Sequence, residues 1–175
     1  MKTVAFTGHR TERFHFGEND EEFKRLKIIL FKIIKRLYEY GYVNFISGMA
    51  IGFDTWAAEA VCELKEQIEE INLICAIPFE KQDSSWSEKD KSRRKSLINK
   101  ASSVVMVSEK YFSGCYHKRN RYMIDHSEVL VCFYDGISSG GTAYTVKYGL
   151  QKGKIVIRID PKTFKVEIIS HENFK

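Results

Sequence analysis

Hydrophobic residues alternate between two patterns along the chain. Short, nearly continuous apolar runs are typical of strands that are buried on both faces, whereas apolar residues spaced three or four positions apart indicate amphipathic helices. The runs predict strands at residues 2–6, 43–46, 71–77, 103–107, 129–134 and 154–159, with a short edge strand at 163–169. Helices are expected between them. This alternation predicts an α/β fold with a mostly parallel sheet and helices on both faces.

The starts of the helices carry capping signals. Asn19, followed by Glu22 three residues later, resembles a capping pair, and Asp54 is suited to cap the next helix. Further helices are expected over 87–100, from about residue 119 to 127, and over 142–152.

Composition limits the class of protein. The chain has 175 residues, 43% of them hydrophobic, and only 2 prolines, with no Ser/Gly-rich linker. We therefore expect one domain over 1–175, with a core of about 1–160 and a short extension at 161–175. The apolar runs are too short to span a bilayer, and the four cysteines form no C-x-x-C pair. These features predict a cytoplasmic protein that has no membrane contact, no metal and no cofactor.

Two glycine-rich turns each follow a predicted strand and precede a predicted helix. Glycine lets the backbone approach a ligand closely, and a helix N-terminus offers free N–H groups with a partial positive charge. At one edge of a parallel sheet, the two turns predict a pocket for a phosphate or a nucleotide. The candidate binding residues in these turns are Ser47, Gly48, Met49, Gly52 and Asp54, and then Ser139, Gly140, Gly141 and Thr142.

Other candidates lie at the same ends of the predicted strands. Gly8, His9 and Arg10 follow the first strand, and Arg10 is either a phosphate clamp or an exposed turn residue. Asp54 either caps its helix or binds a ribose. Pro78 and Phe79 follow the third strand and either stack on a base or pack in the core.

Further candidates come from the later part of the chain. Asp135 opens the second turn, while Tyr116, Asn120 and Asp125 flank the loop after the fourth strand and could complete the site. The carboxylates considered for catalysis are Glu59, Asp54 and Asp125.

The net charge of +5 permits contact with nucleic acid without requiring it. Basic residues cluster at 89–95 and at 118–121. They form either solvated helix faces or a path for single-stranded DNA. Neither glycine turn matches G-x-x-x-x-G-K-[ST] or G-x-G-x-x-G, which disfavours P-loop NTPases and standard NAD(P) oxidoreductases.

Three segments together resemble a known family. They are Thr7-Gly8-His9-Arg10, Ile46-Ser47-Gly48-Met49-Ala50-Ile51-Gly52-Phe53-Asp54-Thr55-Trp56-Ala57-Ala58-Glu59 and Ile77-Pro78-Phe79. They are similar to the YpsA/YoqJ-type group of bacterial and phage proteins, in the SLOG superfamily named for DprA (Smf) and the LOG phosphoribohydrolases. The resemblance covers about residues 1–159.

The resemblance implies a single SLOG-type, Rossmann-like three-layer sandwich with its ligand pocket at the glycine turns. Members of the superfamily bind nucleotides or nucleotide-derived signals, cleave N-glycosidic bonds or bind single-stranded DNA, and they often form homodimers. LOG enzymes carry P-G-G-x-G-T-x-x-E, whose Glu assists cleavage. In this chain Thr145 stands at the position of that Glu, and one glycine is missing.

Three hypotheses follow. The first is a sensor or sequestering protein for a nucleotide or nucleotide-derived ligand, such as ADP-ribose, an NAD-like molecule or a nucleoside monophosphate. The second is a nucleotide N-glycosidase whose carboxylates are rearranged. The third is DprA-like binding of single-stranded DNA. The missing Glu favours the first hypothesis over the second, and the modest net charge favours it over the third.

Overall fold

The structure is a computed structural model that describes residues 2–170. Within that range, seven strands form one sheet in the order β4-β3-β2-β1-β5-β6-β7. The six strands β1 to β6 run parallel, and β7 pairs antiparallel with β6. Their bounds are β1 Lys2–Gly8, β2 Tyr42–Ser47, β3 Asn72–Ile77, β4 Ser103–Met106, β5 Val129–Phe133, β6 Ile155–Ile159 and β7 Val166–Ile169. The predicted Rossmann-like α/β fold is confirmed.

Five α-helices connect the strands and cover both faces. They are α1 Glu21–Glu39, α2 Phe53–Lys65, α3 Glu88–Lys100, α4 Cys115–Asp125 and α5 Gly140–Gln151. Helices α1, α2 and α3 pack on one face, and α4 and α5 pack together on the other. The change of face follows from the topology: the chain proceeds outward from β1 to β4 and then returns to place β5 on the other side of β1. The space between β1 and β5 is therefore the topological switch point, where open α/β sheets bind ligands.

Four predicted helix starts are wrong by one to four residues, and each has a local cause. Helix α5 begins at Gly140, two residues before the predicted Thr142, where the backbone has φ +91°. The first residue outside α1 is Asp20, and its carboxylate accepts a hydrogen bond from the Gly17 amide (2.7 Å) instead of capping the helix. Gly52 precedes α2 with φ +95°, so Asp54 lies inside the first turn. Gly114, with φ +100°, starts α4 at Cys115, four residues before the predicted start.

Two apolar clusters fill the spaces between the sheet and its helices. The larger lies under α1, α2 and α3 and includes Phe6, Phe45, Phe53 and Trp56, while the smaller lies under α4 and α5. Aliphatic side chains on both faces of β5 explain its continuous apolar run, because Val131 belongs to the first cluster and Leu130 to the second. The extension predicted at 161–175 contributes β7, and its residues 171–175 lie outside the described part.

Candidate ligand-binding site

An open cavity of about 600 Å³ lies beside the carboxyl end of β1, between the first turns of α2, α4 and α5. This position coincides with the switch point of the sheet. The residues that line the cavity are Thr7, Gly8, His9, Arg10, Glu12, Arg13, Ala50, Asp54, Tyr116, His117, Arg119, Asn120, Gly141 and Thr142. Eight of them are residues that the sequence nominated, six for binding (Gly8, His9, Arg10, Asp54, Gly141 and Thr142) and two to complete the site (Tyr116 and Asn120).

The N-terminus of α5 opens into this cavity. The helix begins at Gly140 with φ +91°, and the side chain of the preceding Ser139 makes no capping hydrogen bond to the described chain. The first amide groups of a helix have no partner within the helix, so here they are available to an anion. A Cβ atom built on Gly141 would meet nothing within 4 Å among residues 2–170. This end of α5 therefore has both the donors and the space that a phosphate needs.

The first glycine turn is held closed by its own hydrogen bonds. The Ser47 hydroxyl donates to the Asp54 carbonyl oxygen (2.7 Å) and accepts from the Met49 amide (3.1 Å). Met49 is fully buried and has φ 54°, a left-handed conformation that the turn imposes on a residue other than glycine. A Cβ atom on Gly52 would come within 2.8 Å of the His9 carbonyl oxygen.

Arg119 fills the space that the first turn leaves. The side chain is 6% exposed, and its Nη1 donates to the Gly48 carbonyl oxygen and lies 3.5 Å from Asp54 Oδ2. A Cβ atom on Gly48 would overlap the guanidinium group and lie 2.7 Å from Asp54 Oδ2. The Nε atom of Arg119 is buried, and no described residue accepts a hydrogen bond from it. Position 48 is therefore glycine because the Arg119 side chain, rather than a ligand, occupies the space that a Cβ atom would need.

Burial and charge act in opposite directions on Asp54. Burial raises the pKa of its carboxyl group, Arg119 and the backbone of Ala50 lower it, and the net result is a pKa raised to about 6. Burial likewise lowers the pKa of Arg119, against the attraction of Asp54. The pair is thus a desolvated contact between a cation and an acid in the cavity wall.

His9 and Asp135 form a second polar contact at the end of β1. His9 Nε2 lies 3.0 Å from Asp135 Oδ1, and Arg13 Nε lies 3.1 Å from the other carboxylate oxygen. Burial lowers the pKa of His9 and outweighs the nearby carboxylate, so the ring is neutral at pH 7. Burial would raise the pKa of Asp135, but the Ile137 amide, His9 and Arg13 together lower it. Asp135 therefore orients His9 and Arg13.

Comparison with known proteins identifies the family of this chain. The model of the YspA SLOG family matches residues 4–160. The chain belongs to this SLOG family. The SPbeta prophage-derived protein YoqJ of Bacillus subtilis is 39% identical over 129 residues, which are 66% of this chain and 75% of YoqJ. A UPF0398 protein of Bacillus cereus is 25% identical over 158 residues, 89% of this chain and 86% of that protein.

A solved structure shares the architecture. DNA processing protein A from Helicobacter pylori, described for its single-stranded DNA binding mode, matches with a TM-score of 0.61 and 19% identity. The match covers 95% of this chain and 68% of that chain. At this level of identity, the likeness shows that the SLOG chain and that protein share a fold.

The second glycine turn of this SLOG chain has a different side chain in place of the LOG-type Glu. The Thr145 hydroxyl donates to the Gly141 carbonyl oxygen (2.7 Å) and accepts from Asn120 Nδ2 (2.8 Å). Asn120 itself lines the cavity. At the position where the resemblance to LOG enzymes implies a Glu, this chain therefore has a hydroxyl group that is hydrogen-bonded to the backbone.

Several nominated residues lie outside the cavity lining. Glu59 is bound by Arg93 between α2 and α3, and Asp125 accepts from the Tyr148 hydroxyl (2.9 Å) on the outer side of α4. Phe79 packs edge-on against Tyr111 and Tyr116 (5.4 and 5.8 Å between ring centroids), which makes it a support for Tyr116. The other nominated residues that the structure leaves out of the lining are Ser47, Gly48, Met49, Gly52, Pro78, Asp135, Ser139 and Gly140.

Several residues of the basic clusters form contacts within the chain itself. In the cluster at 89–95, Lys91 pairs with Glu88, Arg93 with Glu59, and Arg94 with Asp83. The interpretation of the clusters as solvated faces is wrong for Arg94 in the first cluster and for Arg119 in the second, because both residues are buried. The place of Arg119 in the polar run 117–121 hid this role. Its spacing of four residues from the buried Cys115 and Met123 is a signal that could have revealed it.

Two further properties concern the whole described chain. Over residues 2–170, no group of three or more His, Cys, Asp or Glu side chains is arranged to hold a metal ion. No helix in the same range has the length and apolar character needed to cross a membrane.

Proposed function

We propose that this chain binds a nucleotide or nucleotide-derived anion in the cavity at the switch point, with a phosphate group at the N-terminus of α5. ADP-ribose, NAD-like molecules and nucleoside monophosphates are the ligand classes to test. The role that fits best is a sensor or sequestering protein in the cytoplasm. The homodimer implied by the family resemblance stays a prediction.

The observation that carries the proposal is the open, uncapped start of α5 inside a large cavity. Phosphate binding at a helix N-terminus uses backbone N–H groups and the helix dipole, and it needs glycine for close approach. Gly141 and Thr142 line the cavity, and the exposed Arg10 lies in the same wall. Arg10, Arg13 and Arg119 outnumber Glu12 and Asp54 among the charged lining residues, so the wall suits an anion.

Aromatic side chains supply a surface for a base. Tyr116 lines the cavity and is braced by Phe79, and His117 lines it while stacking on Tyr144 with 4.2 Å between ring centroids. Rings that are held by neighbours can stack on a nucleobase without losing further conformational freedom. A phosphate at α5 and a base near Tyr116 would use the neighbouring N-terminal ends of α5 and α4, which pack together.

A second candidate function is nucleotide N-glycosidase activity, and the position of Asp54 in the cavity lining favours it. Of the three carboxylates nominated for catalysis, Asp54 alone lines the cavity, and its pKa is raised to about 6. A carboxyl group with a raised pKa suits a general acid near neutral pH. We rank this second because Asp54 already faces Arg119 and Thr145 carries no carboxylate.

DprA-like binding of single-stranded DNA has less support. It would require free cations next to stacking side chains, whereas the cations at 91, 93 and 94 are paired with acidic residues. Binding of this kind weakens steeply with salt. A flat salt response with an oligonucleotide would remove this alternative.

The test is proton NMR of the purified protein with AMP, NAD and ADP-ribose, observed over hours. Saturation transfer reports binding, and new base or ribose signals report cleavage. We expect transfer to at least one intact ligand and no new signals. Gly141→Asp places a carboxylate at the start of α5 and should abolish the transfer, and Arg10→Ala should weaken it.

The matched control is Gln151→Glu, which adds the same charge at the exposed far end of α5. It should bind as the wild type does. Release of free base by the wild type, but not by Asp54→Asn, would overturn the sensor hypothesis in favour of nucleotide N-glycosidase activity. Absence of any transfer, or equal transfer in Gly141→Asp, would overturn the proposed site.

A further inference from the structure

The loop between β1 and α1 forms much of the cavity wall. His9, Arg10, Glu12 and Arg13 all line the cavity and all lie within residues 9–20. One end of this loop is fixed where the His9 carbonyl oxygen lies against Gly52 and where Asp135 contacts His9 and Arg13. The positions of the two arginines also depend on what holds the rest of the loop.

Glu18, near the other end of the loop, is held by α2 and α3. Its Oε1 atom accepts a hydrogen bond from the Trp56 indole nitrogen (2.8 Å) and another from Arg93. Arg93 in turn binds Glu59 with two nitrogens, at 2.5 and 2.6 Å. Glu59 thus connects to the loop through a single guanidinium group.

This network is partly shielded from solvent. The exposed fractions of Arg93, Glu59 and Glu18 are 20%, 26% and 32%, which is lower than in a surface ion pair that solvent screens fully. Burial would raise the pKa of Glu18, but the hydrogen bonds from Arg93 and Trp56 lower it, so the carboxylate is ionised at neutral pH. A bidentate arginine held in this way has one preferred geometry.

The network also adjoins the part of the loop that forms the cavity. A second cavity of about 240 Å³ is lined by Thr11 together with Glu18, Gly52 and Arg93. Thr11 lies between Arg10 and Glu12 and starts the 3-10 turn Thr11–Arg13. Movement of Glu18 or Arg93 would therefore change the space directly behind the arginines of the ligand cavity.

We propose that Glu59, Arg93 and Glu18 are positioning residues, which hold the β1–α1 loop so that Arg10 and Arg13 face the ligand. The inference rests on the proposed function for its effect on binding, although the effect on the loop can be measured without a ligand. It assigns a role to Glu59, the last residue of the glycine-turn motif, which lies outside the cavity. The competing explanation is that the three residues only fasten α3 to α2.

Hydrogen exchange of the whole chain, followed by mass spectrometry, tests the effect on the loop. Arg93→Met should raise amide exchange within residues 9–20 by about tenfold, the low end of what a hydrogen bond to a charged group contributes. Exchange in β1 and β5 should stay at the wild-type rate. Arg93→Lys, which retains the charge but cannot bind two oxygens at once, should give an intermediate rate.

Two further variants separate positioning from general stability. Glu18→Gln leaves the Glu59–Arg93 contact between α2 and α3 in place, and it should still raise exchange in residues 9–20. Lys100→Met removes another contact from α3, the pair with Glu66 (3.1 Å), and should leave the loop unchanged. If Glu18→Gln leaves the loop protected, or if Arg93→Met raises exchange equally in all elements, the positioning role is overturned.

Ligand titration gives the functional readout. With ADP-ribose as the probe, Arg93→Met should weaken binding by at least about tenfold if the loop opens as expected. Unchanged affinity despite an open loop would overturn the link to binding. If the wild type binds none of the nucleotides, the proposed function fails, and the exchange experiment decides the positioning role by itself.

Discussion

The two glycine turns look equivalent in sequence, yet the structure uses them in opposite ways. In the first turn, Gly48 makes room for the buried Arg119, and Asp54 supplies a carboxylate in the first turn of α2. In the second turn, Gly141 borders open space, and within the described chain the first turn of α5 contains no acidic residue. A carboxylate of the protein itself lies at the first helix start, whereas the second is the one at which the proposed function places an anion from outside.

This difference shows what a glycine at a strand–helix turn can signify. The backbone permits close approach in both cases, but a side chain from α4 has taken the place of a ligand at the first turn. The helix dipole is satisfied internally by Asp54 in α2 and remains available in α5. The comparison therefore predicts that the first turn controls stability and the second controls binding.

The largest expected effect concerns the pH dependence of Asp54. Its pKa is about 6 in the folded chain, against about 3.9 when unfolded. Between these values the folded state retains a proton that the unfolded state has lost, so the free energy of unfolding falls as pH rises from about 4 to about 6. The total contribution is at most about 3 kcal/mol.

Glu18 and Asp135 have lowered pKa values, so their ionisation makes the free energy of unfolding change with pH in the opposite direction. The variant Asp54→Asn retains those two groups, and the difference between the variant and the wild type therefore isolates the contribution of Asp54. Urea denaturation of both proteins from pH 4.5 to 7.5 measures it. The wild type should lose stability relative to Asp54→Asn across this range. A constant difference between the two would show that Asp54 ionises normally in the folded chain.

A smaller effect is expected when a methyl group is added to each turn. Gly48→Ala should lower the free energy of unfolding by about 1–3 kcal/mol, because the new Cβ atom would overlap the Arg119 guanidinium group. Gly141→Ala should leave it unchanged or raise it by up to about 1 kcal/mol, since alanine favours the helix and the space is open. Thermal unfolding compares the pair directly, and equal losses would contradict the contrast between the turns.

The smallest effect separates stability from binding within the second turn. Gly141→Asp should stabilise the free protein by about 0.3–1 kcal/mol, because a carboxylate at a helix N-terminus interacts favourably with the helix dipole. The same carboxylate should block the anion site. Thermal unfolding with and without ADP-ribose checks both parts. A variant that is less stable than the wild type would show that the start of α5 is not open in solution.

The sequence predicted most of the fold because both periodicities are strong. Strand β5 is continuously apolar, and α1 buries Leu26, Leu30 and Ile34 at helical spacing. The errors occurred at helix starts, and at two of them Gly52 and Gly114 rather than polar caps precede the helices. A glycine with positive φ ends the preceding segment through backbone conformation alone, and residue patterns report this weakly.

The candidate site was predictable in position and less so in composition. Gly8, His9 and Arg10 were predicted to lie with the second glycine turn because parallel strands place their carboxyl ends at one edge. Arg119 was missed, because a basic residue in a polar helix is normally solvated and nothing local shows that Gly48 and Asp54 lie opposite it. Glu59 was nominated for catalysis from a motif, and the structure instead pairs it with Arg93, from a helix 34 residues away in sequence.

The sequence by itself determined the alternation of strands and helices, the family and the edge of the sheet where glycine turns collect. These follow from local periodicity and short motifs, which act over a few residues. The tertiary structure decided which turn is filled, which carboxylates reach the cavity and which arginines are buried. Those properties depend on contacts between residues far apart in the chain, such as Arg119 with Gly48 and Arg93 with Glu18, and on how burial changes the energy of each charge.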